Sequence, residues 1–256
     1  MRTCIFCPST NLNREHIWSD WINKCVPKTM YTFRRRNKDG EYDYWQSPEL
    51  NFKAKVVCRN CNGGWMSRLE YLEAKPSMCD MIGRGGAVSL LPRGIASIAA
   101  FAFKTSVLSN RTGVYSDEPF FTIKQRYNFR RTLKVPPGVQ VWLFSVKTPA
   151  GTGGKLNSYF GNIVNVEQAF TIYVCTFSIG FLGLQLVASK WTNPRLRNRV
   201  PPPQLRQPNT EDNIAVPIWP NDGTPVLWPP RNHVSYDSIN EFCDRCKAWD
   251  FPHLTN

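Results

Sequence analysis

The sequence predicts an α+β protein in three consecutive segments: a cysteine-stapled unit over residues 1–80, a basic mixed α/β segment over 81–190, and a proline-rich stretch ending in a helix over 191–256. Three observations lead there. Two C-x-x-C pairs bracket the first segment, apolar runs of both helical and strand character fill the second, and half of the chain's 20 prolines fall within 191–230.

A chain of 256 residues is long enough to bury a sizeable core, and 42% hydrophobic with 13% aromatic residues excludes a disordered or collagen-like chain. The 32 Lys and Arg against 19 Asp and Glu leave a net charge of +13. That charge is uneven. Residues 1–80 carry +4, residues 81–200 carry +12 with only Asp117, Glu118 and Glu167 as acids, and residues 201–256 carry −3. A polyanion is therefore expected to dock on the middle of the chain, and nucleic acid is the commonest one.

The nine cysteines read as metal ligands or core thiols rather than a disulfide framework. No apolar signal core opens the chain, because Cys4 and Cys7 stand where one would begin, so a cytoplasmic location is expected. Residues 168–189 carry no charge and are long enough to span a bilayer. Their Thr, Ser, Gln and Gly content and β-branched first half instead predict two buried strands hinged near Ser178-Ile179-Gly180, so no membrane partner is expected.

Other elements follow from spacing. Trp65, Met66, Leu69 and Leu72 recur at helical intervals after Cys61, with Pro76 as the expected stop. Residues 94–110 predict a mostly buried helix ending near Asn110, and residues 139–146 a strand. The prolines of 191–230 predict an extended wrap or linker, and residues 235–249 a short amphipathic helix.

Cys4, Cys7, Cys58 and Cys61 together predict a Cys4 zinc site. Each pair supplies two thiolates from a tight knuckle, and four complete the tetrahedron that structural Zn²⁺ prefers. The ion would staple a segment too small to hold itself together. Between the knuckles stands Glu15-His16, and just past the second comes Asn62. A histidine beside a carboxylate is a candidate general base, and Glu15 with an oxygen from Asn62 suits a hard divalent ion. Bland roles stand beside these: Asn62 as a helix N-cap, Glu15 as a surface charge, His16 as a structural residue. Neighbouring strand residues also point to opposite faces, so Glu15 and His16 share a site only if the strand bends or ends there.

C-x-x-C, then Glu-His, then C-x-x-C-Asn leading into a helix resembles the HNH endonucleases, whose core is a ββα-metal finger. The strings REHIW (14–18) and VCRNCNGGWMSRLE (57–70) look like a bacterial subgroup with a C-terminal domain of its own. The resemblance covers residues 1 to about 75. It implies a DNA phosphodiester hydrolase in which His16 activates water, and in which Glu15 and Asn62 hold one catalytic Mg²⁺ or Mn²⁺. The expected products carry a 5′-phosphate and a 3′-hydroxyl. Glu15 replaces the more usual Asp, and Asn62 the common His. The middle position of the motif falls on Lys53, which leaves Asn51 as the nearest asparagine to orient the base. Defence against phage or plasmids is a context the resemblance implies.

Basic clusters offer substrate contacts. Arg34, Arg35 and Arg36 lie among aromatic residues between the knuckles, where a solvated loop is the alternative. Lys124, Arg126, Arg130, Arg131 and Lys134 form a second cluster, and Arg195, Arg197 and Arg199 a third. DNA is the expected partner, with RNA as the alternative. One HNH site cuts one strand, so a homodimer or two successive nicks is expected, and an activating protein partner is a further possibility. Cys243 and Cys246 read as core or interface thiols.

Overall fold

The two cysteine pairs stand at the ends of a segment of four strands. β1 (Leu12–His16) is followed by a 3₁₀ turn (Asp20–Lys24), a hairpin of β2 (Tyr31–Arg36) and β3 (Tyr42–Ser47), and then β4 (Lys53–Cys58), which pairs antiparallel with β1. From Cys58 the chain turns directly into α1 (Arg59–Cys61). Wide π-type turns over Asn62–Met66 and Leu69–Ala74 carry it into α2 (Lys75–Gly83). The protein is represented by a computed structural model that describes residues 2–26, 28, 30–36, 42–111, 119–147, 158–166, 170–197, 213–235, 238 and 242; residues 32–36, 42–43, 158–166 and 197 are described by their backbone alone.

Pro76 does not stop the helix. It occupies the first turn of α2, directly after the π-type turns. A proline's clash with the carbonyl four residues earlier and its missing N–H are costly only in a regular α-helix interior.

β5 (Val88–Leu90) leads into α3 (Pro92–Ser109), buried from Ile95 to Ser109 at nearly every position, as the apolar run predicts. α4 (Ile123–Thr132) begins with a capping box, in which the Thr122 hydroxyl accepts the Gln125 N–H and the Gln125 side chain accepts the Thr122 N–H. The sheet is built from β6 (Val139–Lys147), β7 (Ser158–Val166), β8 (Phe170–Ile179) and β9 (Leu182–Trp191). After α5 (Pro194–Arg197) come β10 (Ala215–Trp219), β11 (Val226–Trp228) and β12 (Val234–Ser235). The strand order is β10-β6-β9-β8-β7, antiparallel throughout, with β12 parallel to β6 and a separate β5–β11 pair.

From Phe170 on, the uncharged run 168–189 is thus the β8–β9 hairpin, turning at Gly180 as its pattern predicts. Among the described residues no helix is long and apolar enough to cross a membrane. The proline-rich segment is not wholly a wrap or linker. Its described part gives β10 to the sheet, and Pro217 is tolerated there because β10 is an edge strand. Residues 198–212, Cys243, Cys246 and nearly all of the expected C-terminal helix lie outside the described residues.

One apolar cluster runs from Cys4 to Trp228, so residue 80 does not separate two cores. The join is close at the end of α2. Gly180 has φ +58°, and a Cβ there would run into the Ile82 carbonyl oxygen, to which the Phe181 N–H donates at 3.1 Å. Cys25 and Cys79 form a disulfide across 54 residues, joining the end of the 3₁₀ turn to α2. That bridge corrects the reading of the cysteines as ligands and core thiols alone, because its partners meet only through the tertiary fold.

Candidate metal centre and the carboxylate site beside it

The two knuckles bring four sulfurs together. Cys4, Cys7, Cys58 and Cys61 are all buried, and their Sγ atoms lie within 4.8 Å of one another. Cys7 Sγ is 3.5 Å from Cys58 Sγ and 3.7 Å from Cys61 Sγ. A tetrahedron with metal–sulfur bonds of about 2.3 Å has edges of about 3.8 Å, so the four thiols are close enough to bind a metal ion. Main-chain N–H groups already face two of the sulfurs: Phe6 N–H donates to Cys4 Sγ at 3.5 Å, and Cys61 N–H to Cys58 Sγ at 3.4 Å. The hydrogen bond from the Cys61 thiol holds Cys4 down to about 5 against its burial, while Cys61 is raised by sharing that bond. Among the described residues this is the only group of three or more His, Cys, Asp and Glu side chains placed to hold a metal.

The knuckle is gripped from the middle of the chain. Arg126 of α4 is buried, donating from Nη1 to the Ile5 carbonyl at 2.6 Å and from Nε to the Phe121 carbonyl at 3.1 Å. Trp65 stands edge-on to Phe6 and Phe129, with ring centroids 5.0 and 5.6 Å apart. Arg126 therefore faces inward, whereas Lys124, Arg130, Arg131 and Lys134 are exposed. Helical periodicity separates them, because position 126 falls on the face of Phe129, which is also buried.

The second site grows from the far end of β1. Between Asn13 and Glu15 the ladder advances two residues on β1 but three on β4, a bulge that re-aims the strand just before it ends at His16. The strand both bends and ends here. Glu15 is 4% exposed and His16 half-buried, so Glu15 is no surface charge. Asn62 lies inside the helical turn with φ −60° and ψ −61°, and the N-cap is Cys58; the capping role therefore falls away. Its side chain favours the charged form of the Glu15 carboxylate.

Burial raises Glu15 to about 7, with Glu70 adding to the rise while Lys104 and Asn62 oppose it. Burial lowers His16, and Lys53 lowers it further, against the pull of Asp20, Glu70 and Glu49. Lys53 stands directly opposite His16 in the ladder. Asn51 is exposed just before β4, its N–H donating to the Glu49 carbonyl at 2.7 Å, and the Ile17 N–H instead takes the Phe52 carbonyl at 2.8 Å.

Two functional candidates escape the sequence reading. Glu70 is 6% exposed and Lys104 wholly buried, and the two form an ion pair whose charges act on Glu15 in opposite directions. Lys104 Nζ also donates to Ser19 Oγ at 3.3 Å. The available signal was one lysine inside the apolar run 94–110. Elsewhere, Arg34, Arg35 and Arg36 lie on β2, described by backbone only, Arg195 is exposed, and Arg199 lies outside the described residues. No protein-family model, no curated protein and no solved structure matches this chain.

Proposed function

We propose that this chain is a metal-dependent endonuclease of the HNH type, hydrolysing phosphodiester bonds of DNA. The observation that carries the reading is the burial of Glu15 at a bulge one residue before His16, on the strand that pairs with β4 at the thiol cluster. The β1–β4 ladder passing straight into a helix at the thiol cluster supports it.

In this reading Zn²⁺ occupies the four thiolates as a structural staple. Glu15 and the Asn62 amide are oxygen donors suited to Mg²⁺ or Mn²⁺, an ion class that keeps several waters and needs few protein ligands. Such an ion, when bound, supplies charge neutralisation at the phosphate. His16 accepts the proton of the attacking water. Its lowered pKa keeps the imidazole neutral at pH 7 and able to do so. The exposed Lys124, Arg130, Arg131 and Lys134 grip the backbone of the substrate. Two-strand cleavage then requires a homodimer or two successive nicks, and a role in defence against phage or plasmids is the cellular context we favour.

Supercoiled plasmid incubated with the protein in Mg²⁺, Mn²⁺ or EDTA tests the reading. Metal-dependent nicking is expected, reduced at least a hundredfold in His16→Ala, the scale of general-base catalysis. One observation favours a second reading, a zinc-stabilised nucleic-acid-binding module or a nuclease subunit awaiting a partner: Lys53 rather than an asparagine faces His16. Protein that shifts the plasmid on a gel but never cuts it, in any metal, selects that reading.

A further inference from the structure

Between the first knuckle and the start of α4 lies a cavity of about 360 Å³. Small-ligand sites occupy about 300–1,000 Å³. Ile5, Phe121, Ile123 and Tyr127 give it apolar and aromatic walls, and its two charged residues are both arginines, Arg111 and Arg126. The same two arginines line a neighbouring recess against Val107 and Asn110. Among the described residues no carboxylate lines either hollow.

Arg126 is the deeper of the two, at 6% exposed. Its Nε and Nη1 donate to the Phe121 and Ile5 carbonyls, and among the described residues Nη2 has no partner and no acid is bonded to the guanidinium. A buried cation left with neutral acceptors is costly. Burial pulls Arg126 below its ordinary value, and the like charge of Arg111 pulls it the same way. The ten-residue α4 also begins at this wall, with its cap Thr122 and first residue Ile123 lining the cavity, so the positive end of the helix adds to the two guanidinia.

We infer that this cavity binds the terminal phosphate of a nucleotide, either free or at the 5′ end of a strand. A phosphate monoester carries about two negative charges at neutral pH and three acceptor oxygens. Two guanidinia and a helix N-terminus supply the matching charge, and the planar fork of arginine meets phosphate oxygens two at a time. The volume exceeds what a phosphate alone fills. Tyr127, Phe121 and the exposed Ile123 offer the remaining space a surface on which a sugar and base can lie. Neither Glu15 nor His16 lines this cavity, so the inference does not rest on the nuclease reading.

Isothermal titration calorimetry on the full chain, at fixed salt and without added divalent metal, tests it with two pairs of probes. Adenosine 5′-monophosphate is compared with adenosine, and a short 5′-phosphorylated thymidine oligonucleotide with its unphosphorylated form. A phosphorylated probe is expected to bind about tenfold or more tighter than its counterpart, the scale of one charge-assisted hydrogen bond. Arg126→Gln can fail to fold by freeing the Ile5 carbonyl, so the half-buried Arg111 decides the matter. Arg111→Gln is expected to remove most of that preference, whereas Arg84→Gln, which takes the same charge from an exposed arginine outside the cavity, leaves it in place. Both sources of phosphate uphold the inference: monophosphate binding as tight as that of the phosphorylated strand names the free nucleotide, and tighter binding of the strand names its 5′ end. Equal binding of phosphorylated and unphosphorylated probes, no binding of any probe, or an equal loss in Arg111→Gln and Arg84→Gln overturns it and leaves Arg126 as the counter-charge of the thiolate cluster.

Discussion

The thiol cluster and the carboxylate site are two answers to one problem, the gathering of anionic side chains in a buried place. At the cluster four like ligands arrive from two short knuckles, and all four sulfurs lie within 4.8 Å. Around the carboxylate the groups come from four separate places: Glu15 from β1, Asn62 from the first π-type turn, Glu70 from the second, and Lys104 from α3. Both are backed by one buried cation from the middle of the chain, Arg126 at the knuckle and Lys104 at the carboxylates. Part of the +12 charge of residues 81–200 therefore serves the interior. A regional charge total overstates what is offered to a polyanion.

The largest expected effect breaks the comparison at the thiol end. Elemental analysis of purified protein is expected to find about one equivalent of zinc, as a four-thiolate site requires. Cys58→Ala is expected to abolish folding, since structural zinc contributes on the order of 10 kcal/mol. Fully folded, zinc-free protein removes the staple.

The next effect belongs to the carboxylate end and is a pH dependence. Glu15 sits at about 7 in the folded chain against an ordinary 4.5, so the folded state holds the extra proton between those values. The sign follows: without divalent metal, stability is highest below pH 4.5 and declines as pH rises to 7, by about 3 kcal/mol for this group. Denaturation curves across that window, compared between wild type and Glu15→Gln, check it. A wild-type curve that parallels the variant's shows that Glu15 is not held in a desolvated place.

The smallest effect concerns the surface. Arg130 and Arg131 are exposed, so reversing both to Glu is expected to leave the fold intact. DNA affinity falls, and the slope of log affinity against log salt flattens by about 2. Unchanged affinity and slope take the exposed face of α4 out of the interface and sharpen the view that this segment's charge is mainly internal.

What could be read directly depended on how far apart the partners lie. The Cys4/Cys7 and Cys58/Cys61 knuckles, the β8–β9 hairpin and the buried α3 announce themselves in spacing and periodicity within a few residues, where backbone geometry alone decides the outcome. The sequence by itself determined these pieces and the candidacy of Glu15, His16 and Asn62. The tertiary structure alone decided that a bulge turns Glu15 inward, that Arg126 leaves its exposed neighbours to bind the Ile5 carbonyl 121 residues away, and that Cys25 pairs with Cys79. It also chose Glu70, 34 residues from Lys104, as the partner of the one buried charge in α3. A buried charge or thiol must find whichever complementary group the packed chain brings beside it, and local pattern carries no record of that meeting.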